Sequence, residues 1–263
     1  MTVTVGMFQG PEGLGSEPDV ARNLAAIDAA AARAAAAGAQ ILVTPEMSVS
    51  GYDIGTAARD LARPRGGEYH AAIAGIAGRH GVAVVAGYPE LDDGTVFNAV
   101  TVVSPDGAEL AHYRKTHLFG DLDRTMFAPG GELPVQFDLG GLRCGLLICY
   151  DVEFPEAVRA QADAGADLLL IPTGLMEPFG RIAEQIVPVR AFESQLYIAY
   201  TNHCGRETSL EYCGLSTAAG PDGDVVARAG RAEELLVFTA DPEALREARI
   251  ANTYLRDRRT DLY

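Results

Sequence analysis

Apolar and polar positions change period repeatedly along this chain, and each change marks an element. Thr2–Phe8 alternates as a strand does. Val20–Ala37 has helix-forming composition and stops at Gly38. Ile41–Val43 is a short apolar run that ends at Pro45-Glu46. Glu68–Arg79 reads as a helix and Val82–Gly87 as a buried strand. Val96–Val103 and Glu109–Tyr113 flank Ser104-Pro-Asp-Gly107, while Pro134–Leu139 and Leu142–Ile148 flank Gly140-Gly141; both pairs predict hairpins. Phe154–Ala164 predicts a helix, Leu168–Ile171 a buried strand, Arg181–Ser194 a helix and Leu196–Thr201 a strand. A last hairpin turns at Gly220-Pro-Asp-Gly223, and a short helix, Pro242–Arg249, precedes a polar tail. Helix–Gly–strand units alternating with antiparallel hairpins predict an α/β chain with two mixed sheets and helices outside, in layers.

The chain also echoes itself. Ala37-Gly-Ala-Gln-Ile-Leu-Val-Thr-Pro45 matches Ala164-Gly-Ala-Asp-Leu-Leu-Leu-Ile-Pro172. Each segment leaves an Ala-rich helix, runs through a buried strand and meets a polar residue, Glu46 or Thr173. Two equivalent halves, one per sheet, would put Glu46 and Thr173 at one rim, beyond the carboxyl ends of strands where open α/β sheets bind ligands. Recurring helix–Gly–strand units in any α/β protein explain the echo equally well, and the rim position of Glu46 holds on either reading.

Composition narrows the classes. At 263 residues, 48% hydrophobic, the chain suits one domain spanning 1–263, since α/β domains run to roughly 250 residues. No apolar run is long enough to span a membrane, and Met1–Phe8 lacks the basic start of a signal peptide, so a cytoplasmic protein is expected. The net charge of −15 and the lack of a basic patch argue against nucleic acid; the acidity serves solubility and would favour cationic substrates. Cys144, Cys149, Cys204 and Cys213 form no Cys-x-x-Cys pair, and the five histidines show no zinc spacing. Free thiols and no metal or cofactor are expected. Of 21 basic residues only Lys115 is a lysine. Arginine is a permanently charged fork, whereas lysine is a compact charge that can release its proton, so a single surviving lysine points to a site that arginine cannot serve.

Three residues carry chemistry. Cys149 ends the apolar run Gly145-Leu-Leu-Ile148 and precedes a helix opening near Pro155, a position that exposes and activates a thiol. A cysteine in an apolar run is otherwise an inert core residue; Cys144, which alternates with polar neighbours and lacks such a context, is the internal control. Glu46 follows Pro45 directly after a strand, and Lys115 lies in Tyr113-Arg-Lys-Thr-His-Leu-Phe-Gly120. Taken singly, these read as a helix cap and a surface cation. Together they are what a thiol needs to hydrolyse an amide: a carboxylate base, an ammonium for the oxyanion and a nucleophile whose free pKa of about 8.5 calls for help. The Tyr150 N–H would be a second oxyanion donor. A redox thiol would want a resolving partner, and Cys144 lies five residues back, about 17 Å along a strand.

Pro45-Glu46, Arg114-Lys115-Thr-His-Leu118 and Cys149-Tyr-Asp-Val-Glu-Phe-Pro-Glu156 resemble the three signature segments of the nitrilase superfamily, in that family's order and over essentially the whole chain. The resemblance implies a four-layer α-β-β-α sandwich, a Glu46–Lys115–Cys149 triad and no cofactor. It also implies a homodimer or larger assembly with an eight-layer core; the tail, about residues 241–263, is expected at that interface. Family members often carry a second acidic residue near the nucleophile. Asp123 holds the matching position, one carbon shorter than the usual Glu. Ser194 replaces the usual Asn after Arg190-Ala-Phe-Glu193. Tyr113–Phe127, Asn202-His-Cys-Gly205 and Glu211-Tyr-Cys-Gly214 are similar to the 5-aminopentanamidase and R-stereoselective amidase group, implying a small aliphatic primary amide, with or without an amine, as substrate. Tyr52, Tyr150, Thr173, Met176 and Asn202 are candidates for the pocket wall. The alternatives are a nitrilase or N-carbamoyl-amine hydrolase on the same triad, and a non-catalytic binding protein of this fold. Tyr150 stands where true nitrilases usually have Trp, which favours the amidase; the complete triad disfavours the binding protein.

Overall fold

The computed structural model describes residues 1–12, 14 and 17–262. The first half of the chain runs β1 (Val3–Gln9), α1 (Val20–Ala36), β2 (Ile41–Val43), α2 (Ala57–Leu61), α3 (Glu68–His80), β3 (Ala83–Asp92), β4 (Thr95–Val103), β5 (Glu109–Arg114) and α4 (Gly120–Arg124). The second runs β6 (Gln136–Leu139), β7 (Leu142–Leu146), a 3₁₀ turn Cys149–Glu153, α5 (Pro155–Asp163), β8 (Leu168–Thr173), a π turn Ile182–Ile186, α6 (Val187–Ser194) and β9 (Tyr197–Asn202). Then follow β10 (Cys204–Glu207), β11 (Leu210–Cys213), β12 (Thr217–Ala219), β13 (Val225–Arg228), β14 (Glu234–Ala240), α7 (Pro242–Ala251) and α8 (Tyr254–Asp257).

The strands form two six-stranded sheets, β14-β1-β2-β3-β4-β5 and β13-β12-β9-β8-β7-β6, plus the hairpin β10-β11. Read from β14 and from β6, the pairings follow one order in both sheets: antiparallel, parallel, parallel, antiparallel, antiparallel. The echoed segments become β2 and β8, at the same place in each sheet. Gly6 in β1 and Gly145 in β7 are equivalent as well. A Cβ on Gly6 would sit 3.0 Å from Ala34 of α1, and one on Gly145 would collide with Gln161 of α5. Both glycines let a helix lie close on its sheet.

Val3, Val5, Met7, Val43, Val85 and Val100 point into the core between the sheets, where they meet Leu146, Leu168 and Leu170. Phe8, Leu42 and Val84 take the alternate face and pack under α1 and α3 with Ile27, Ala31 and Ile73. Helices α5 and α6 cover the second sheet. The layers are therefore helix, sheet, sheet, helix.

The pattern and the fold differ where local chemistry intervenes. The strand read as Val82–Gly87 continues to Asp92, because Asp93-Gly94 takes positive φ at both residues and closes a two-residue hairpin to β4. The segment read as one helix, Arg181–Ser194, is a π turn followed by α6. Pro188 has no N–H to bond the Glu184 carbonyl, and Val187 N instead bonds Ile182 O, five residues back. Short α2 and α4, the β10-β11 hairpin and edge strand β14 add to the predicted set. Of the tail, α7 packs on its own chain: Leu245 is buried and Arg249 pairs with Asp167. Tyr263 lies outside the described residues.

Candidate active site

Glu46 leaves the end of β2 in a tight bend. Met47 takes a left-handed φ of 53°, and Gly87 makes room, since a Cβ there would strike the Met47 nitrogen. The Glu46 main chain is fastened to the second half: its N–H donates to Thr173 O (3.3 Å) and its carbonyl accepts from His203 Nε2 (2.6 Å). The carboxylate is fully buried. Oε1 accepts from Asn98 Nδ2 and from Lys115 Nζ, both at 2.7 Å; Oε2 has no hydrogen-bond partner among the described residues.

Lys115 directly follows β5, its main chain held between Asn98 O and the Gly130 N–H. Its Nζ donates to Glu46 Oε1 and to Asp123 Oδ2, each at 2.7 Å, and lies 5.6 Å from the centre of the Tyr52 ring. An ammonium carries three N–H groups, so one remains beyond the two carboxylates. Asp123, on α4, reaches Lys115 despite its short side chain. It also accepts from Tyr52 Oη and from the Phe119 N–H, each at 2.8 Å.

Cys149 opens the 3₁₀ turn beyond β7 with φ 46°, a left-handed conformation that non-glycine residues rarely adopt. It is 7% exposed. The turn is anchored at both ends. Asp151, fully buried, accepts from the Ile148 N–H and Tyr113 Oη through Oδ2, and from the Thr116 hydroxyl and the His117 N–H through Oδ1. One carboxylate thus ties the nucleophile's turn to the loop after Lys115. At the far end Arg190 donates to the carbonyls of Val152 (3.0 Å) and Glu153 (2.8 Å).

Burial dominates the electrostatics. It pushes the Cys149 thiol well up, and the Glu46 charge adds to this; Lys115, the Thr173 hydroxyl and the Gly174 N–H pull the other way. Burial also raises Glu46, against the pull of Lys115, which makes the carboxylate a better base. For Lys115 burial alone would favour the neutral amine, but Glu46 and Asp123 outweigh it and keep the ammonium. The resting site is thiol, carboxylate and ammonium. Cys144 shows the contrast: burial, with Asp167 and Asp138 adding to it, raises it to about 12, and no lysine pulls it back.

The remaining candidates fall in different places. Tyr52 is buried beside Lys115 and Asp123. Tyr150 is half-buried, edge-on to Phe119 (5.3 Å) and Phe154 (4.9 Å), and Phe119 in turn contacts exposed Phe179, so aromatic rings gather above the thiol's turn. Thr173 carries a fully buried hydroxyl within reach of the Cys149 thiol. Met176 packs with Tyr52 and Tyr212. Asn202 does not face a cavity with a free amide: it bonds Leu175 through both its oxygen and its nitrogen, and the Gly214 carbonyl, which holds the loop after β8 in place. Sequence reasoning missed Asn98, His203, Asp151 and Tyr200. The available signal was polarity inside a strand, as at Asn98 in Val96–Val103 and Tyr200 in Leu196–Thr201. Among the described residues no group of His, Cys, Asp and Glu could hold a metal ion, and all four cysteines are free.

Known proteins resemble this chain in sequence and fold. The carbon-nitrogen hydrolase family model matches residues 4–250. The "Hydrolase in pqqF 5'region" of Pseudomonas protegens is 45% identical over 100% of this chain and 91% of its own length. The (R)-stereoselective amidase of Pseudomonas sp is 36% identical over 93% of this chain and 88% of its own. A double mutant of the amidase from Nesterenkonia sp. AN1, in complex with acrylamide, superposes with a TM-score of 0.89 at 33% identity, covering 99% of this chain and 95% of that one. The chain belongs to the carbon-nitrogen hydrolase family. Within that family it is an amidase of the nitrilase superfamily.

Proposed function

We propose that the protein hydrolyses a small aliphatic primary amide, with an ω-amino amide as the favoured case, through a thioester on Cys149. One observation carries the reading: Lys115 is clamped between Glu46 and Asp123, which leaves Glu46 Oε2 and one lysine N–H uncommitted beside the thiol. Glu46 Oε2 takes the thiol proton as sulfur attacks the amide carbon. The oxyanion meets the third N–H of Lys115 and the Tyr150 N–H, one of the donors that the start of a helical turn leaves without an internal partner. The adduct expels ammonia, which carries away the proton held on Glu46. Water then attacks the thioester, again with Glu46 as base, and releases the carboxylate.

The similar Nesterenkonia amidase supports this. Its structures include a Michael adduct of acrylamide at the active site cysteine and a complex with butyramide, both small aliphatic amides. Ammonia release by Cys149→Ala and Lys115→Arg, measured over aliphatic, ω-amino and carbamoyl amides with nitriles as controls, tests the reading. Cys149→Ala abolishes turnover in a folded protein. Lys115→Arg loses about 10²–10³-fold in kcat, the usual range for a lost oxyanion donor, because a planar fork cannot hold two carboxylates and the oxyanion together. Full activity in either variant sinks the mechanism.

A homodimer working in the cytoplasm completes the proposal. Four unpaired thiols suit a reducing compartment. Val189 and Phe192 of α6 and Tyr254 of α8, with Phe192 and Tyr254 in ring contact at 5.6 Å, form an exposed apolar face for a second copy.

A further inference from the structure

Glu153 has no role in the steps above, yet it closes the single turn that Cys149 opens. It is half-buried. Its main-chain carbonyl accepts from Arg190; its carboxylate makes no hydrogen bond or salt bridge with a described residue. The two nearby cations are committed elsewhere. Arg190 pairs with Glu193 at 2.9 Å, and Lys115 is shared by two carboxylates. Burial pushes the Glu153 carboxyl up, with Lys115 and then Arg190 in electrostatic reach. The fully buried Tyr200 lies within electrostatic reach of both Cys149 and Glu153.

This is a poor place for an idle anion. Glu46 and Asp123 already share the one ammonium of the site, and Glu153 adds a carboxylate that no described cation pairs with. The oxyanion adds a further negative charge, and an unpaired carboxylate close by opposes it. Each penalty is removed if the substrate itself brings a positive charge to the turn.

We propose that Glu153 is the receptor for a cationic amine on the acyl chain of the substrate, and so selects ω-amino amides over neutral amides of equal length. The proposal rests on the amidase reading and deepens it. It gives the acidic chain, at net charge −15, a matching substrate class, since a negative field draws cations toward the site.

The test is a ratio measured on the full-length protein: kcat/KM for 5-aminopentanamide over kcat/KM for pentanamide. The native enzyme prefers the amino amide by about tenfold or more, the order expected for one partly desolvated charge pair. In Glu153→Gln, which keeps the shape, that ratio falls by about tenfold or more, mostly through KM. Glu153→Lys turns the preference toward an amide that ends in a carboxylate, such as 5-amino-5-oxopentanoate. Because each variant is read against its own pentanamide rate, general damage to the fold cancels. Equal native rates on the two amides, or an equal fall of both in Glu153→Gln, overturns the receptor and leaves the amidase reading intact. Failure of the native protein to release ammonia from any amide overturns both.

Discussion

His203 takes no part in proton transfer, but it holds the base in place. Its Nε2–H grips the Glu46 carbonyl at 2.6 Å, its ring lies against Tyr212 at 4.8 Å, and burial depresses its pKa to about 4. In the unfolded chain the same imidazole titrates near 6.5. As pH falls from about 6.5 to about 4, the unfolded state takes up a proton that the native state refuses, so this stability is full above the window and is lost on acidification. That difference between the two states corresponds to about 3 kcal/mol. Urea denaturation at pH 7 and pH 4 is expected to show the native protein losing about 2–3 kcal/mol more than His203→Asn, which keeps an N–H donor and cannot charge. Equal losses would remove His203 as the titrating group. Nothing in the pattern announced this residue. A lone histidine just past a strand reads as loop polarity, and its partner is a carbonyl 157 residues away. Lys115 was legible for the opposite reason, because its scarcity marked it before any neighbour was known.

At the scale of elements, the turn Cys149–Glu153 does most to shape the site, and Asp151 sets its geometry. The carboxylate collects donors from Ile148, Tyr113, Thr116 and His117, so one side chain fixes the nucleophile's turn relative to the Lys115 loop. Asp151→Asn puts an NH₂ where an oxygen accepted, and leaves at least one buried donor unmet at about 1–3 kcal/mol. The expected outcome is a clear fall in the melting midpoint and a fall in kcat of about tenfold or more, with KM less affected, because the thiol and the ammonium lose their common anchor. An unchanged kcat would show that the elbow is held by other contacts. The motif around Cys149 placed these residues correctly in sequence, but periodicity does not reveal a one-turn 3₁₀ element. The same limit hid α2 and α4, each five residues long. Pro188 and Asp93-Gly94 were visible signals that the broader apolar pattern outweighed.

Over the whole molecule the two sheets act as matched halves. Glu46, Lys115 and Asp123 come from the first, Cys149, Thr173 and His203 from the second, and the Glu46 N–H···O=C Thr173 bond crosses the seam. The internal echo made the layered architecture legible, because β2 and β8 are its two copies. How α6 and α8 meet solvent was not legible, since α8 lies in what reads as a polar tail. The apolar face they form is where a second copy is expected to dock. Light scattering should give a dimer for the native chain and a monomer of unchanged circular dichroism for Phe192→Glu, which places a charge at the centre of that face. A native monomer would refute the assembly.

The pairing of β14 with β1, Val3 opposite Ala240 through Gln9 opposite Glu234, has a consequence for synthesis. β1 is synthesised well before β14, and its outer edge stays open until β14 emerges and pairs with it. A nascent chain can already hold Glu46, Lys115 and Cys149 while the sheet beneath two of them is unfinished. Hydrolysis therefore waits for a late closing step. A message cut short before residue 234 yields an inert product with a bare sheet edge, which invites aggregation and marks it for clearance.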